Sequence, residues 1–372
     1  MLLAGAGWWL VRGPAVAHGA PPHAPDIDID TPSMRAQREA VIALATMPDD
    51  PWTLAETLPA SAPDKAADKE ACGLEDGPQL SKPGSHDEER VQTRAPTPRF
   101  LGAQARIDAA LRTSADPLDR IAADFVNAGD MRTWDGSDEA VVQQATASTD
   151  PRVVSLGHAV CMRAPAIDGC AALTAARWAQ ADPGNGMPWV ELLAQAQARG
   201  DDAGVQQAMA SLAASTRFDM HLFAVPGAVI RALPENDRDL AAGGDLVTRT
   251  VGRAAALPYP TFRPLLDACR NEGGGDAQRA RQCVAVSDTM YAHSDTLIPY
   301  LISGNLLQRT TGDATRREAT RAEYQVFTAH WSPATGLSPC GMIREEVRRL
   351  RRNAEIGEVE AMREESRRFV PP

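Results

Sequence analysis

Residues 175–214 read AARWAQADPGNGMPWVELLAQAQARGDDAGVQQAMASLAA, and this stretch decides the fold class. Apolar residues recur every three or four positions on both sides of Gly200-Asp201, a spacing typical of amphipathic helices. Gly ends a helix in the left-handed conformation at no steric cost, and Asp then caps the first free amides of the next helix. The stretch therefore predicts a helical hairpin with a two-residue break.

The same kind of break recurs along the chain, at Gly129-Asp130, at Gly312-Asp313 and in the variant Gly357-Glu358. Each break separates two helical patterns and predicts an antiparallel hairpin. We find no run of alternating β-branched residues, so we predict no sheet. Because stacked hairpins form a solenoid, we predict an all-α fold, a right-handed helical-hairpin array over residues 99–372.

Helix starts carry their own signals. Asp116-Pro117 and Asp150-Pro151 place a side-chain acceptor before a proline, whose missing N–H is harmless at the first helical position. Ser294-Asp295 offers a similar cap. The predicted helices are Gly102–Thr113, Pro117–Ala128, Asp138–Ser148, Pro151–Arg163, Cys170–Gln180, Pro188–Arg199, Asp202–Ala214, Met220–Leu233, Leu240–Ala256, Thr261–Arg270, Ala277–His293, Asp295–Thr310, Thr315–Trp331 and Met342–Arg368.

Residues 186–219 resemble a tetratricopeptide repeat, whose period is about 34 residues. Trp189 falls on the aromatic position of that family, Leu192 on its first leucine position and Gly200-Asp201 on its inter-helix turn. One period earlier, residues 152–185 end with the terminal proline, Pro183. Departures from the family pattern are Leu193, Ala196 and Val205. The resemblance implies a protein-interaction scaffold with a concave face for peptides or partner helices.

The first seventeen residues predict a signal or membrane-anchor segment. Leu2–Val11 is apolar and would extend roughly 15 Å as a helix, which fits a signal core better than a full membrane span. Ala15-Val16-Ala17 has the small-x-small pattern of a cleavage site, but no basic residue precedes the apolar run. A start codon placed too far downstream, an uncleaved anchor in the inner membrane and a buried N-terminal helix remain open. We expect membrane contact only through this segment.

Residues 18–98 predict a Pro-rich, acidic linker that is mostly disordered, because proline recurs and apolar periodicity is missing. Met34–Met47 is its one candidate helix. The linker gives way to the helical repeat domain at residue 99.

The chain contains six cysteines, and their placement favours disulfides. Two pairs flank breaker-rich turns between predicted helices, and the third pair follows by exclusion from the fifteen connectivities that six cysteines allow. Neither local spacing is CxxC, which disfavours zinc. Six reduced cysteines in a cytosolic protein are the alternative. The predicted pairs are Cys161–Cys170, Cys269–Cys283 and Cys72–Cys340. Together with the N-terminal segment they predict a periplasmic or cell-envelope protein.

Composition and motifs exclude several functions. A net charge of −11 argues against sequence-independent nucleic-acid binding, which needs a basic face. No lysine follows Lys82, so no later residue can form a Schiff base or serve a phosphate loop. His158 and Cys161 could form a nucleophilic pair only if Cys161 were reduced. We therefore predict no catalytic, cofactor-binding or metal-ligating residue and no cofactor.

These observations favour an exported scaffold that binds a protein or peptide partner. A periplasmic enzyme with dispersed, unmarked acid and base residues is the alternative, and a helical spacer is a third class. A cluster of Asp, Glu and His in a deep pocket would favour the enzyme. An open face lined by Trp, Leu and Arg would favour the scaffold.

Overall fold

The computed structural model of the chain describes residues 69–76, 96–127, 137–234, 237–270, 276–330 and 337–369, all within the unit Ala66–Pro372. The predicted signal or anchor segment, the helix Met34–Met47 and most of the linker 18–98 lie outside these residues. Within the described ranges the chain forms helices and no strands, which confirms the all-α prediction there.

The α-helices are numbered here in chain order, and short 3₁₀ turns precede or separate some of them at Leu74–Asp76, Cys170–Ala172 and Asp237–Asp239. The α-helices are α1 (Pro98–Thr113), α2 (Pro117–Asn127), α3 (Ser137–Ala147), α4 (Pro151–Arg163), α5 (Ala175–Ala181), α6 (Met187–Arg199), α7 (Asp202–Ala214), α8 (Ala224–Arg231), α9 (Leu240–Ala256), α10 (Arg263–Ala268), α11 (Ala277–Ala292), α12 (Leu297–Thr311), α13 (Thr315–His330), α14 (Pro339–Ile356) and α15 (Glu358–Phe369).

Several helices begin and end at the capping residues that the sequence predicts. The Asp150 carboxylate accepts the amide of Arg152 at 2.9 Å and starts α4, and Asp201 starts α7 by accepting the amide of Gly204 at 2.8 Å. Gly200 ends α6 at a φ of 65°, and Gly312 ends α12 at a φ of 82°. An L-residue with a side chain would be strained at these backbone angles, so glycine is required there.

Several predicted helix bounds are wrong. Helix α8 begins at Ala224 and not at Met220, and the predicted helix Met342–Arg368 is interrupted at Gly357. The segment Cys170–Gln180 is split into a 3₁₀ turn and α5, and the predicted Ser294-Asp295 cap does not begin α12. That helix begins after Thr296, which makes no side-chain cap. The Asp295 carboxylate instead accepts the backbone amide of Met220 at 3.1 Å, because residues 293–296 pair with another connecting segment rather than with their own helix.

Helix packing is sequential at first and then returns on itself. Helices α1 to α7 pack each on the next, as stacked hairpins do. Helix α7 then packs on α11, and α11, α12, α13, α15 and α14 follow one another. Helix α14 packs on α9, and α9 packs on α1. The order of neighbours is therefore a closed circuit and not only the next-neighbour order of an open solenoid.

The hydrophobic core joins α6 and α7 to α11 and α12. The buried residues of α6 include Val190, Leu193 and Ala196, whereas Leu192 is only half-buried. Two positions where the sequence departs from the tetratricopeptide pattern, Leu193 and Ala196, thus supply buried contacts. None of the helices in the described ranges combines the length and the apolar character that a membrane crossing needs.

Candidate functional site

The six cysteines predicted to pair are brought together in the expected partners. Each pair lies at disulfide distance, with Cα separations of 5.3, 5.7 and 6.0 Å. The first two pairs close turns between successive helices, and the third ties the segment before α1 to α14. The pairs are Cys161–Cys170, Cys269–Cys283 and Cys72–Cys340, in the order of those separations.

His158 does not pair with Cys161, which is joined to Cys170. Its Nδ1 lies 2.7 Å from the carbonyl oxygen of Leu173, and its Nε2 lies 2.6 Å from a Glu191 carboxylate oxygen. Burial lowers the pKa of His158, but the Glu191 contact outweighs it and raises that pKa above its ordinary value. The imidazole therefore links α4 to α6 and is not a free base.

Four connecting segments meet in what we call the loop hub, defined as residues 182–186, 216–221, 293–296 and 357–358. Backbone hydrogen bonds join them in series. The Gly186 amide donates to Arg217, the Phe218 amide to His293, and the Asp295 amide to Phe218, at 2.9 to 3.1 Å. The Glu358 amide then donates to the carbonyl of Asp295 at 2.6 Å. Helices that are distant in the sequence are thus held together at one point.

A histidine between two carboxylates lies at the centre of the loop hub. The two ring nitrogens of His221 lie 3.0 Å from Asp182 and 3.1 Å from Asp219. Burial lowers the pKa of His221, but these two carboxylates outweigh it and raise the pKa to about 9. The ring is therefore protonated at neutral pH and donates from both nitrogens. His221 also has a φ of 53°, unusual for a residue with a side chain.

Asp182 is satisfied on every side. It is 2% exposed, and its carboxylate accepts Nδ2 of Asn185 at 2.9 Å as well as the His221 ring and the Arg217 guanidinium. Burial raises the pKa of Asp182, but the hydrogen bonds of His221 and Asn185 lower it below its ordinary value. The carboxylate stays ionised, and both of its oxygens accept hydrogen bonds.

Asp295 and Glu358 extend the hub as buried acids. Burial and the neighbouring Asp219 charge raise the pKa of Asp295 well above its ordinary value, so Asp295 carries the proton that it shares with Asp219. Burial raises the pKa of Glu358 to about 7, although the Leu297 amide donates to its Oε2 at 2.9 Å. Asp295 is thus kept neutral inside the protein, and Glu358 is about half protonated at neutral pH.

A second cluster of charges lies at the surface, beside α10 and α12. We call it the arginine cleft, and it is an open cavity of about 570 Å³. Among the described residues that line it, the carboxylate of Asp267 faces three guanidinium groups, with nitrogen–oxygen distances of 2.8, 3.6 and 3.8 Å. The cleft is lined by Arg263, Leu266, Asp267, Arg270 and Arg309.

The backbone segments that carry the arginines of the cleft are held by contacts with the helices beneath them. Cys269 is covalently tied to α11 through Cys283, and its carbonyl oxygen accepts the hydroxyl of Thr310 at 3.3 Å. Gln197 donates to the carbonyl of Pro264 at 3.1 Å and so fastens α10 to α6. The backbones that carry the arginines are therefore held by a disulfide, by hydrogen bonds and by the hydrophobic core beneath them.

Sequence reasoning missed both clusters. The hub residues Asp182, His221 and Asp295 are far apart in the chain, and the one local signal that could have indicated a pair is the two-residue spacing of Asp219 and His221. In the cleft, Arg263 and Arg270 are close in the sequence, but the third arginine comes from another helix. Arginine is the main basic residue throughout this chain, so a local run of it carries little signal.

Comparisons with known proteins give no relative for this chain. No protein-family model matches it, and neither a curated protein nor a solved structure is significantly similar to it. Within the described ranges, no three His, Cys, Asp or Glu side chains are grouped so that they could hold a metal ion.

Proposed function

We propose that this protein is an exported helical scaffold that binds a protein or peptide partner in the cell envelope. The observation that carries the proposal is the arginine cleft, an open cavity on the surface of a cross-linked helical body. A surface that recognises a partner needs exposed side chains on a backbone that is held in place, because fixing the backbone beforehand lowers the entropy lost on binding. The cleft has this combination.

The proposed location rests on the three disulfide pairs. Disulfides persist in oxidising compartments, and no free cysteine occurs among the described residues. We place the protein in the periplasm or cell envelope, either released after cleavage of residues 1–17 or held in the inner membrane by them.

The proposed architecture around the cleft is that of a tetratricopeptide-like array. The proposal applies most directly to α4 to α7, where neighbours in space are neighbours in the sequence. There the hairpin of α6 and α7 supplies the core under α10, and a right-handed solenoid course would place the cleft on the flank of the repeat.

A periplasmic enzyme is the second candidate, and the loop hub is the observation that favours it, because it gathers Asp, Glu and His side chains. We favour the scaffold for a physical reason. His221 is protonated by its two carboxylates, and Asp182 is saturated with donors, so neither group is free to take a proton from a substrate. The charged side chains of the loop hub are occupied by hydrogen bonds to one another.

Capture from an envelope extract tests the proposed function. The purified, disulfide-bonded chain would be immobilised beside an Arg263→Ala/Arg309→Ala double variant and an Arg367→Ala control, since Arg367 is 64% exposed and lies on α15. We expect a discrete partner that is retained by the unmodified chain and by the control and lost from the double variant. Equal retention by all three proteins would contradict a partner site in the cleft.

A further inference from the structure

The three guanidinium groups of the arginine cleft are arranged around a carboxylate that belongs to the protein itself. Asp267 Oδ1 lies 2.8 Å from Nη2 of Arg270 and 3.8 Å from Nη1 of Arg309, and Oδ2 lies 3.6 Å from Nε of Arg263. Only the shortest of these contacts has hydrogen-bond length. The cleft therefore already has the geometry of a carboxylate site, with two of its arginines not drawn tightly onto Asp267.

The charges in the arginine cleft reverse those of the whole chain. The chain carries a net charge of −11, whereas the charged side chains known to line the cleft, within the described ranges, are three arginines and one aspartate. A local positive patch on an acidic protein attracts anionic partners. Arginine also matches a carboxylate with two parallel N–H groups, which fixes direction as well as charge.

From this geometry we infer that the arginine cleft binds an acidic peptide segment, with its carboxylates on Arg263 and Arg309. This inference rests on the proposed function and names its partner class. The cavity is larger than a single carboxylate requires, it is open to solvent, and Leu266 supplies an apolar surface between the charges. A chain that offers several carboxylates and some apolar contact fits these features better than a small anion.

Asp267 acts in this account as an internal competitor. With no peptide bound it partly neutralises the arginines, and an incoming carboxylate must compete with it for the same guanidinium groups. Removing its charge without changing its size should therefore tighten binding. A surface ion pair that only stabilised α10 would give no such gain.

Fluorescence anisotropy of the full, disulfide-bonded chain tests the inference. The probe is a fluorescein-labelled Glu-rich peptide, and a Gln-rich peptide of the same length is its control. We expect Arg263→Ala and Arg309→Ala each to weaken binding about fivefold and Asp267→Asn to tighten it about fivefold, with Arg367→Ala unchanged. Added salt should weaken binding of the unmodified chain more than that of the double variant.

Three results would overturn the inference. They are equal binding of the Glu-rich and Gln-rich peptides, an Asp267→Asn variant that binds no tighter, and a chain that binds inorganic phosphate but not the Glu-rich peptide. These results are separable from failure of the proposed function. If the envelope partner is still lost from the double variant while Glu-rich peptides do not bind, the scaffold stands and the acidic-peptide assignment fails. If the partner is retained by all variants, the scaffold proposal fails at this cleft.

Discussion

The loop hub and the arginine cleft are built from similar side chains, but they differ in how far their charges are satisfied. In the hub, Asp182 is 2% exposed and is surrounded by donors from three residues. In the cleft, the side chains of Asp267 and Arg263 are 42% and 88% exposed, and the contact between them is 3.6 Å long. A charge that is buried and saturated stabilises the fold, whereas a charge that is exposed and loosely paired is available to a partner.

Replacing the central carboxylate of each region should separate them most clearly. Asp182→Ala leaves a protonated, buried His221 with one partner fewer, and we expect the free energy of unfolding to fall by about 3–5 kcal/mol. Asp267→Ala, the matched control in the cleft, should cost less than about 0.5 kcal/mol because its ion pairs are exposed. Urea denaturation followed by circular dichroism measures both. Similar losses in the two variants would remove the distinction between the regions.

The pH dependence of stability should come from the hub. The folded-state pKa of His221 is about 9, above its ordinary 6.5, so folding favours the protonated ring. That stabilisation is fully present below pH 6.5 and is lost as the pH rises through 9. It amounts to about 3 kcal/mol. Glu358 has a pKa raised from 4.5 to about 7, so folding favours its neutral form. Its contribution to stability is therefore also lost as the pH rises, over a lower pH range than that of His221.

Urea denaturation at a series of pH values checks this expectation. His221→Gln should be less stable than the unmodified chain at low pH and should lose the decline between pH 6.5 and 9. Glu358→Gln should lose the lower part of the decline and keep the upper part. A free energy of unfolding that stays constant across this range in the unmodified chain would show that His221 is not held as described.

The Cys269–Cys283 disulfide should affect peptide binding as well as stability, since it lies under the cleft and not in the hub. Its sequence separation is 14 residues, and for a loop of this length the chain-entropy model gives a stabilisation of about 3 kcal/mol. Relief of strain on removal of the disulfide makes the loss smaller. We expect Cys269→Ser/Cys283→Ser to lose up to this much stability and also to bind the Glu-rich peptide more weakly.

Cys161→Ser/Cys170→Ser is the matched control for this prediction. It removes a disulfide of sequence separation 9, and we expect a similar loss of stability with no change in peptide binding. Non-reducing peptide mapping of the native chain should first recover all three pairs as linked fragments. Peptide binding that weakens equally in both double variants would indicate a general loss of folding and not a local effect on the cleft.

Much of the fold was predictable because the signals are local. Gly200 and Gly312 end helices where a left-handed residue is needed, and Asp150 and Asp201 cap the helices that follow. The pairing of Cys161 with Cys170 could be predicted for the same reason, since both flank one turn. Signals of this kind act over a few residues and can be read from one sequence.

The hub and the cleft could not be predicted because they depend on long-range packing. The sequence predicted a helix start at Ser294-Asp295, but the Asp295 carboxylate accepts the amide of Met220, 75 residues away. Arg309 reaches Asp267 only because α10 and α12 pack together. The closed circuit of helix neighbours also differs from the next-neighbour order that the Gly-Asp breaks between helices predict.

Site-specific photo-crosslinking tests the central claim most directly, namely that partners bind at the arginine cleft and not elsewhere on the helical body. A photo-reactive leucine analogue would be placed at Leu266, which lines the cleft, and in a second protein at Leu101, which is 49% exposed on α1. In envelope extract we predict a discrete adduct from Leu266 that excess Glu-rich peptide suppresses, and no such adduct from Leu101. Adducts of equal yield from both positions, or an adduct at Leu266 that the peptide leaves unchanged, would contradict the account.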